Sequence, residues 1–488
     1  MRKTIVWFWN DLRLTDNPAL FYASNQGAII PIFIFSKNLG IGSAKKWWMY
    51  KSLKSLEEEL TRMGGKLFVF YDDNELNILE KIIAKTKASG VYWNKRYEPN
   101  LYGRDKVIEE KLLSKGIEVR IFESFLLHNP DNLRTNEGKP YSIFTPFWRR
   151  FQEEVIIQPP IAKPEKIIFS SEEIGQNSIE ELGLKPKINW YTKMENFWGM
   201  WNISENGAWK RLNEFIENYL ILYKNSREYP YIDGTSLMSP YLAAGNISPK
   251  QIWYKVVSFS NNANGNLKEL SEGAQSFLRQ LAWREFSYHI LYHNNFMVDQ
   301  NLKKEFDNFP WLWEKDEKYY SWTKGVTGIP IIDAGMRQLW ATGWMHNRVR
   351  MIVASYLTKN LLIHWKIGAE WFWDTLVDAD IANNVQGWQW AAGCGADASP
   401  FFRIFNPILQ SKKFDPEGKY IRRWIPELAK LPNEYIHEPW KAPKDVLKQA
   451  GIKLGEQYPM LSISLDESAK NAKIVYYEMK RNKKSWYK

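Results

Sequence analysis

The chain has 488 residues, 44% hydrophobic and 25% charged, proportions of an ordinary globular protein long enough for two or more domains. Lys and Arg outnumber Asp and Glu by 66 to 55, and the formal net charge of +11 suits a polyanionic partner. A single cysteine, Cys394, excludes a disulfide framework and a cysteine-based metal centre, and the six scattered histidines contain no HExxH, so no metal is expected.

The N-terminus runs straight into a strand pattern, without the architecture of a signal peptide. Residues 4–9 (TIVWFW), 29–35 (IIPIFIF), 67–71 (LFVFY), 90–94 (GVYWN) and 118–122 (EVRIF) are near-continuous apolar runs, as expected of strands covered on both faces. Helical patterns lie between them, from Ala44 to Met63, Asn74 to Lys87 and Gly103 to Lys115, and Gly64-Gly65 ends the first. This alternation predicts an α/β domain over 1–130 built on a doubly wound parallel sheet. No GxGxxG follows the first strand and no GxxxxGK[ST] occurs, so neither a dinucleotide fingerprint nor a P-loop is supported. Residues 131–204 read as an interdomain linker, and 158–190, rich in Pro, Lys, Ser and Glu, as a surface connector. From 205 to 488 the pattern is helical (206–223, 267–293, 332–341, 344–366 and 368–377), which makes the second domain all-α. No apolar run reaches the length of a membrane span, and a cytoplasmic monomer is expected.

Tryptophan is as frequent as Tyr and Phe, 25 of each, which points to stacking surfaces, a chain of redox-active rings or a large aromatic core. The stretch 374–407 (DTLVDADIANNVQGWQWAAGCGADASPFFRIFNP) sets Asp378, Asp380, Asn383, Asn384, Trp388, Trp390 and Arg403 among residues that otherwise read as buried. Buried polar groups need partners, so this is a structural network or the wall of a site. Asp378 and Asp380 have no further metal ligands close by in the sequence. Thr235, Ser236 and Ser239 precede Pro240 where a helix begins, suiting either a phosphate seat or an ordinary cap. Gln280, Trp283 and Arg284 share one helical face, fit for a planar heteroaromatic or for a plain amphipathic surface. Asn347, Arg350 and Met351 align on another face, with Arg348 directed elsewhere. Arg350 is a natural partner for one of the two aspartates, and His346 reads as a structural histidine or a general acid or base.

Several long blocks together resemble the cryptochrome/photolyase family, most closely the bacterial class I-type cyclobutane pyrimidine dimer photolyases. They are VWFWNDLRLTDNPAL at the start, RYEPN at 96–100, TPFW at 145–148, DGTSLMSPYLAAG, LAWREF, TGIPIIDAGMRQLWATGWMHNRVRM, the 374–407 stretch and FDPEGKYIRRWIPEL at 414–428, and they span nearly the whole chain. The resemblance implies an FAD held by the helical domain and blue-light repair of UV-damaged DNA, in which excited reduced FAD passes an electron to a flipped-out dimer. Carried over by motif, the cofactor-binding residues are Tyr223, Thr235, Ser236, Leu237, Met238, Ser239, Phe277, Arg284, Arg350, Asp378, Ala379, Asp380 and Asn384, the last facing flavin N5. Gln280, Asn347 and Asn384 take the catalytic positions. Trp283 and Trp390 clamp the dimer beside Gln280, Asn347 and Met351, and Arg348 and Arg403 meet DNA phosphates. Trp388, then Trp365, then Trp313 or Trp311 relay electrons from the surface.

The chain departs from the pattern at three positions, Gln280, Trp9 and Leu101. Gln280 stands where repair enzymes of the family often carry Glu, and an amide has no proton to give the dimer. Six-four photolyases share that Gln but have His where Asn347 stands. Trp9 replaces the usual Arg of the first strand, and Leu101 replaces a Glu frequent in folate binders, which leaves the antenna chromophore as methenyltetrahydrofolate or a deazaflavin. The alternatives are a cryptochrome-type receptor without repair, against which stands the end of the chain soon after the helical pattern, and a six-four photolyase.

Overall fold

The computed structural model describes residues 1–36, 39–260, 267–401 and 403–485; Phe402 of the 374–407 stretch and the last residues of the expected 205–488 domain lie outside them. The chain divides into two compact units, one made of Met1–Ile221, Ser236–His293 and Val377–Asp380, the other of Leu222–Thr235, Asn294–Leu376 and Ile381–Lys488.

In the first unit, β1 (Lys3–Phe8), β2 (Ala28–Phe35), β3 (Phe68–Tyr71), β4 (Gly90–Asn94) and β5 (Glu118–Phe122) form a sheet in the order β3-β2-β1-β4-β5. Every pair is parallel, with Ile5 opposite Ile30 on one side and Val91 on the other. Side chains alternate across a strand, and here both faces are apolar: Ile5, Trp7, Ile30, Ile32, Val91 and Trp93 enter one core, Val6, Phe8, Ile29, Phe33 and Tyr92 the other. That is why these strands read as continuous apolar runs. The order reverses between β1 and β4, as a doubly wound sheet requires. The connector is not wholly a surface loop. Its residues Ile168–Phe169 form β6 and pair with Ala28 and Ile29, because β3 covers β2 only from Ile32 onward and leaves an edge to fill.

Helices Glu205–Asn218, Ser239–Ala244, Pro249–Phe259 and Glu272–His293 belong to the same unit. Glu205 accepts from the Leu14 and Thr15 amides at 2.7 and 3.1 Å, and Asn246 Oδ1 accepts from Trp48 Nε1 and Ser52 Oγ at 3.1 and 3.2 Å. Between these contacts Gly245 sits at φ +71°, where a Cβ would fall 1.9 Å from the Asn10 carbonyl oxygen, so glycine is required twice over.

The second unit is helical, and the break expected between helices 344–366 and 368–377 falls a few residues earlier. In place of the helices expected over 344–366 and 368–377 there are Asn347–Ser355, a π-helical turn Tyr356–Asn360, a break with Leu362 at φ +55°, and the helix Trp365–Thr375. Each helix starts on a histidine: His346 Nδ1 accepts from the Arg348 amide at 3.2 Å and His364 Nδ1 from the Lys366 amide at 3.1 Å. Histidine is not among the usual capping residues, so the pattern does not mark where the second helix begins.

Candidate functional site

Within the first unit the short segment Val377–Asp380 is held from three directions. Ser239 Oγ donates to Asp378 Oδ2 at 2.6 Å, Tyr288 OH donates to Asp380, and Lys45 Nζ donates to the Ala379 carbonyl at 2.9 Å. The Ser239 hydroxyl therefore serves Asp378 rather than capping its own helix, which lacks a side-chain cap. Asp378 and Asp380 are each 8% exposed, and burying two carboxylates is costly unless cations and donors surround them. Burial pushes the Lys45 amine down against the pull of Glu98, Asp380 and Asp378, and pushes Glu98 up. The backbone entering Ser239–Ala244 is strained at Leu237, φ +54°, beside the Ser236 carbonyl that accepts from Arg211 Nε at 3.0 Å.

On Glu272–His293 the three residues expected to act together go to different neighbours. Trp283 lies flat on Phe144, centroids 3.7 Å apart and planes 10° apart. Arg284 is buried, with Nη1 donating to the Phe125 carbonyl at 3.0 Å and its guanidinium 4.3 Å from the Phe125 ring centroid, while Nη2 is buried without a partner. Gln280 is half-buried and donates to the Ser276 carbonyl at 3.3 Å. Phe277 packs on Phe215 at 4.8 Å. Trp9 and Leu101, the two departures near the expected antenna cleft, are absorbed into the sheet's core, Trp9 stacked on Phe33 at 5.5 Å. The crevice at the C-terminal ends of β1 and β4, lined by Trp9, Asn10, Asn94 and Arg96, encloses about 10 Å³, room for one water. A larger cavity of about 240 Å³ lies against Trp93, Arg96, Tyr102 and Asp105.

In the second unit Asn384 commits its amide nitrogen to the Ala369 carbonyl at 3.0 Å. Trp388 is buried, edge-on to Phe372 at 5.0 Å and to Trp322 at 6.1 Å, with its indole nitrogen unpartnered. Trp365 is fully buried and donates to Asn301 Oδ1 at 2.8 Å, and its ring lies 5.3 Å from His364. Both candidates for the relay's end touch that histidine: Trp313 stacks on it at 3.9 Å and is 60% exposed, whereas Trp311 stands at 5.5 Å and is 8% exposed. Asn347 is exposed, with Nδ2 3.9 Å from Met351 Sδ. Arg348 also reaches that sulfur, at 4.0 Å, so it does not point away from Met351 as its helical position suggests. Arg350 Nε donates to the Met345 carbonyl at 2.8 Å. Burial, with Arg227 and Arg350 adding to it, brings His346 down to about 3, so the capping imidazole is neutral at ordinary pH. Trp390 is half-buried near Phe405, and Arg403 is exposed. Tyr223 is buried beneath Arg227, and Thr235 is half-buried.

Sequence reasoning passed over Lys45, Tyr288 and Lys359. Lys359 is 1% exposed and brought down to about 7 chiefly by burial; its Nζ donates to the Pro400 and Arg403 carbonyls at 3.4 and 3.0 Å. Only Tyr288 left a signal, one helical turn beyond Arg284; a lysine buried by distant chain segments leaves none.

Comparison with known families matches residues 4–165 to the model described as DNA photolyase and residues 277–478 to the FAD binding domain of DNA photolyase. A deoxyribodipyrimidine photo-lyase of Agrobacterium fabrum is 44% identical over 98% of this chain and 98% of its own. Cryptochrome-2 of Arabidopsis thaliana is 40% identical over 95% of this chain and 77% of its own. The crystal structure of a bacterial class III photolyase from Agrobacterium tumefaciens superposes with a TM-score of 0.94 at 42% identity, covering 99% of this chain and 98% of that one.

Proposed function

This chain belongs to the DNA photolyase family, and we propose that it splits cyclobutane pyrimidine dimers in UV-damaged DNA, driven by blue light through a bound FAD. The end-to-end match to a deoxyribodipyrimidine photo-lyase, 44% identical, carries this reading. The likeness to a class III structure at TM-score 0.94 favours that class over the class I type suggested by the motifs.

The residues present fit the cofactor. Arg284 Nη2 is a buried donor without a partner, which a carbonyl or phosphate oxygen would satisfy. By the family's motifs, Tyr223, Thr235, Ser236, Leu237, Met238, Ser239, Phe277, Arg284, Arg350, Asp378, Ala379, Asp380 and Asn384 bind it. When bound and reduced, FAD supplies a light-excitable one-electron donor. The protein's part is to bind and orient. Extruding the dimer costs a few kcal/mol, and stacking on Trp283 and Trp390 returns roughly 1–3 kcal/mol per base. Phe144 fixes the plane of Trp283 for that purpose. Gln280, Asn347 and Met351 contact the lesion, and Arg348 and Arg403 supply sequence-independent affinity. Trp388, Trp365 and Trp313 carry electrons inward, the exposure of Trp313 favouring it over Trp311 as the outer member.

By role, residues 1–130 are the antenna-binding domain, 131–204 the linker and 205–488 the catalytic domain of a cytoplasmic monomer, a division that differs from the two compact units, the first of which also holds Ser236–His293 and Val377–Asp380. The cavity of about 240 Å³ in the first unit offers more room for methenyltetrahydrofolate or a deazaflavin than the 10 Å³ crevice. No helix among the described residues is long and apolar enough to cross a membrane. Blue light on the purified protein, with reduced flavin verified by absorbance, should restore intact thymines in an oligonucleotide carrying a dimer. Recovery no greater than in the dark would remove the repair function and leave a cryptochrome-type receptor, which the 40% identity to cryptochrome-2 makes the second reading.

A further inference from the structure

Arg348, assigned above to a DNA phosphate, already holds an anion in this structure. Its Nη2 pairs with the Glu228 carboxylate, and both side chains are partly exposed, 21% and 32%. Glu228 also lies 3.7 Å from Arg227 Nε, so two guanidinium groups share one carboxylate. The Arg348 guanidinium is fixed independently of that carboxylate: it lies 4.3 Å from the Phe414 ring centroid and its Nη1 is 4.0 Å from Met351 Sδ. Its Nε is buried with no partner, a donor that Glu228 leaves unserved.

We propose that Glu228 is an internal competitor for the DNA phosphate at Arg348 and so sets how tightly the enzyme holds DNA. The proposal rests on the reading of Arg348 as a phosphate contact. A phosphodiester offers a guanidinium two oxygens in a bidentate arrangement and can satisfy the unserved Nε, but to do so it must loosen a carboxylate already in place. The exchange of one anion for another releases little counterion, so Arg348 contributes less to affinity than an unpaired arginine at the same place. Phe414 and Met351 keep the side chain in position when the carboxylate is gone, which separates competition from simple support.

The test is fluorescence anisotropy of the full-length, FAD-loaded protein with a labelled duplex, with and without one thymine dimer, between about 50 and 200 mM salt. Glu228→Gln should bind both duplexes roughly threefold tighter, with a slope of log affinity against log salt steeper by about one. In an Arg348→Ala background the same substitution should change neither quantity. Unchanged or weaker binding by Glu228→Gln would overturn the proposal and make Glu228 a support for Arg348. An equal gain in the Arg348→Ala background would also overturn it, because the charge would then be acting at a distance. If the wild-type protein binds neither duplex at any salt, the DNA-repair reading itself has failed.

Discussion

A missing Cβ decides where one indole sits. A side chain at Gly368 would place its Cβ 2.2 Å from Trp388 Cη2 and 2.7 Å from Leu357 Cδ2, so the helix Trp365–Thr375 accommodates the buried tryptophan only at a glycine. Gly368→Ala gains helix propensity of up to about 1 kcal/mol. It should nevertheless lower the melting temperature, since overpacking costs about 1–3 kcal/mol. With Trp388 displaced, photoreduction of the flavin should slow, which flavin absorbance under blue light will show. The same assay distinguishes Trp313 from Trp311: Trp313→Phe should slow photoreduction, and Trp311→Phe, at a ring with 8% exposure, should not. The two are one residue apart in FPWLWEK, and side chains so close in sequence cannot be sorted into surface and interior without knowing what packs above them.

The elements of the second unit carry a sensitivity to acid. His346 and His364, which cap successive helices, are brought down to about 3 and about 4, mainly by burial, with neighbouring cations adding to it. In the unfolded chain they return to the ordinary value of about 6.5, so between that pH and their folded values the unfolded state binds protons that the folded state refuses. Their contribution to stability is complete above about pH 6.5 and is lost progressively as pH falls below it. Melting temperature followed by circular dichroism should therefore decline from pH 6.5 toward 5. In a His346→Asn, His364→Asn protein, whose caps do not titrate, the decline should be shallower; an identical slope would mean the caps are not its source. The caps also explain why the boundary between the helices expected at 344–366 and 368–377 lies earlier in the structure: hydrophobic periodicity carries no mark of a histidine that accepts from the backbone.

For the whole molecule, the excess of 66 basic over 55 acidic residues predicts binding to undamaged duplex that weakens steeply with salt. The two arginines assigned to phosphates should differ. Arg403 is exposed, so Arg403→Ala should reduce the salt slope by about one, whereas Arg348→Ala, releasing a carboxylate as it loses a phosphate, should reduce it by less. Equal reductions in slope would count against the pairing of Arg348 with Glu228 in solution.

The sequence by itself determined the parallel sheet, the change to a helical second half and membership of the family. Strand and helix follow from local periodicity, and long contiguous motifs survive without any knowledge of contacts. It also named the residues of the 374–407 stretch that interrupt a buried pattern. Only the tertiary structure decided what those residues touch: that Asp378 is served by Ser239, Asp380 by Tyr288 and the Ala379 carbonyl by Lys45. It alone placed β6 on the open edge of β2, started two successive helices on histidine caps and set Glu228 against Arg348. These are pairings between segments far apart in the chain, and a buried polar group reveals its need for a partner in the sequence but not which partner the fold will bring to it.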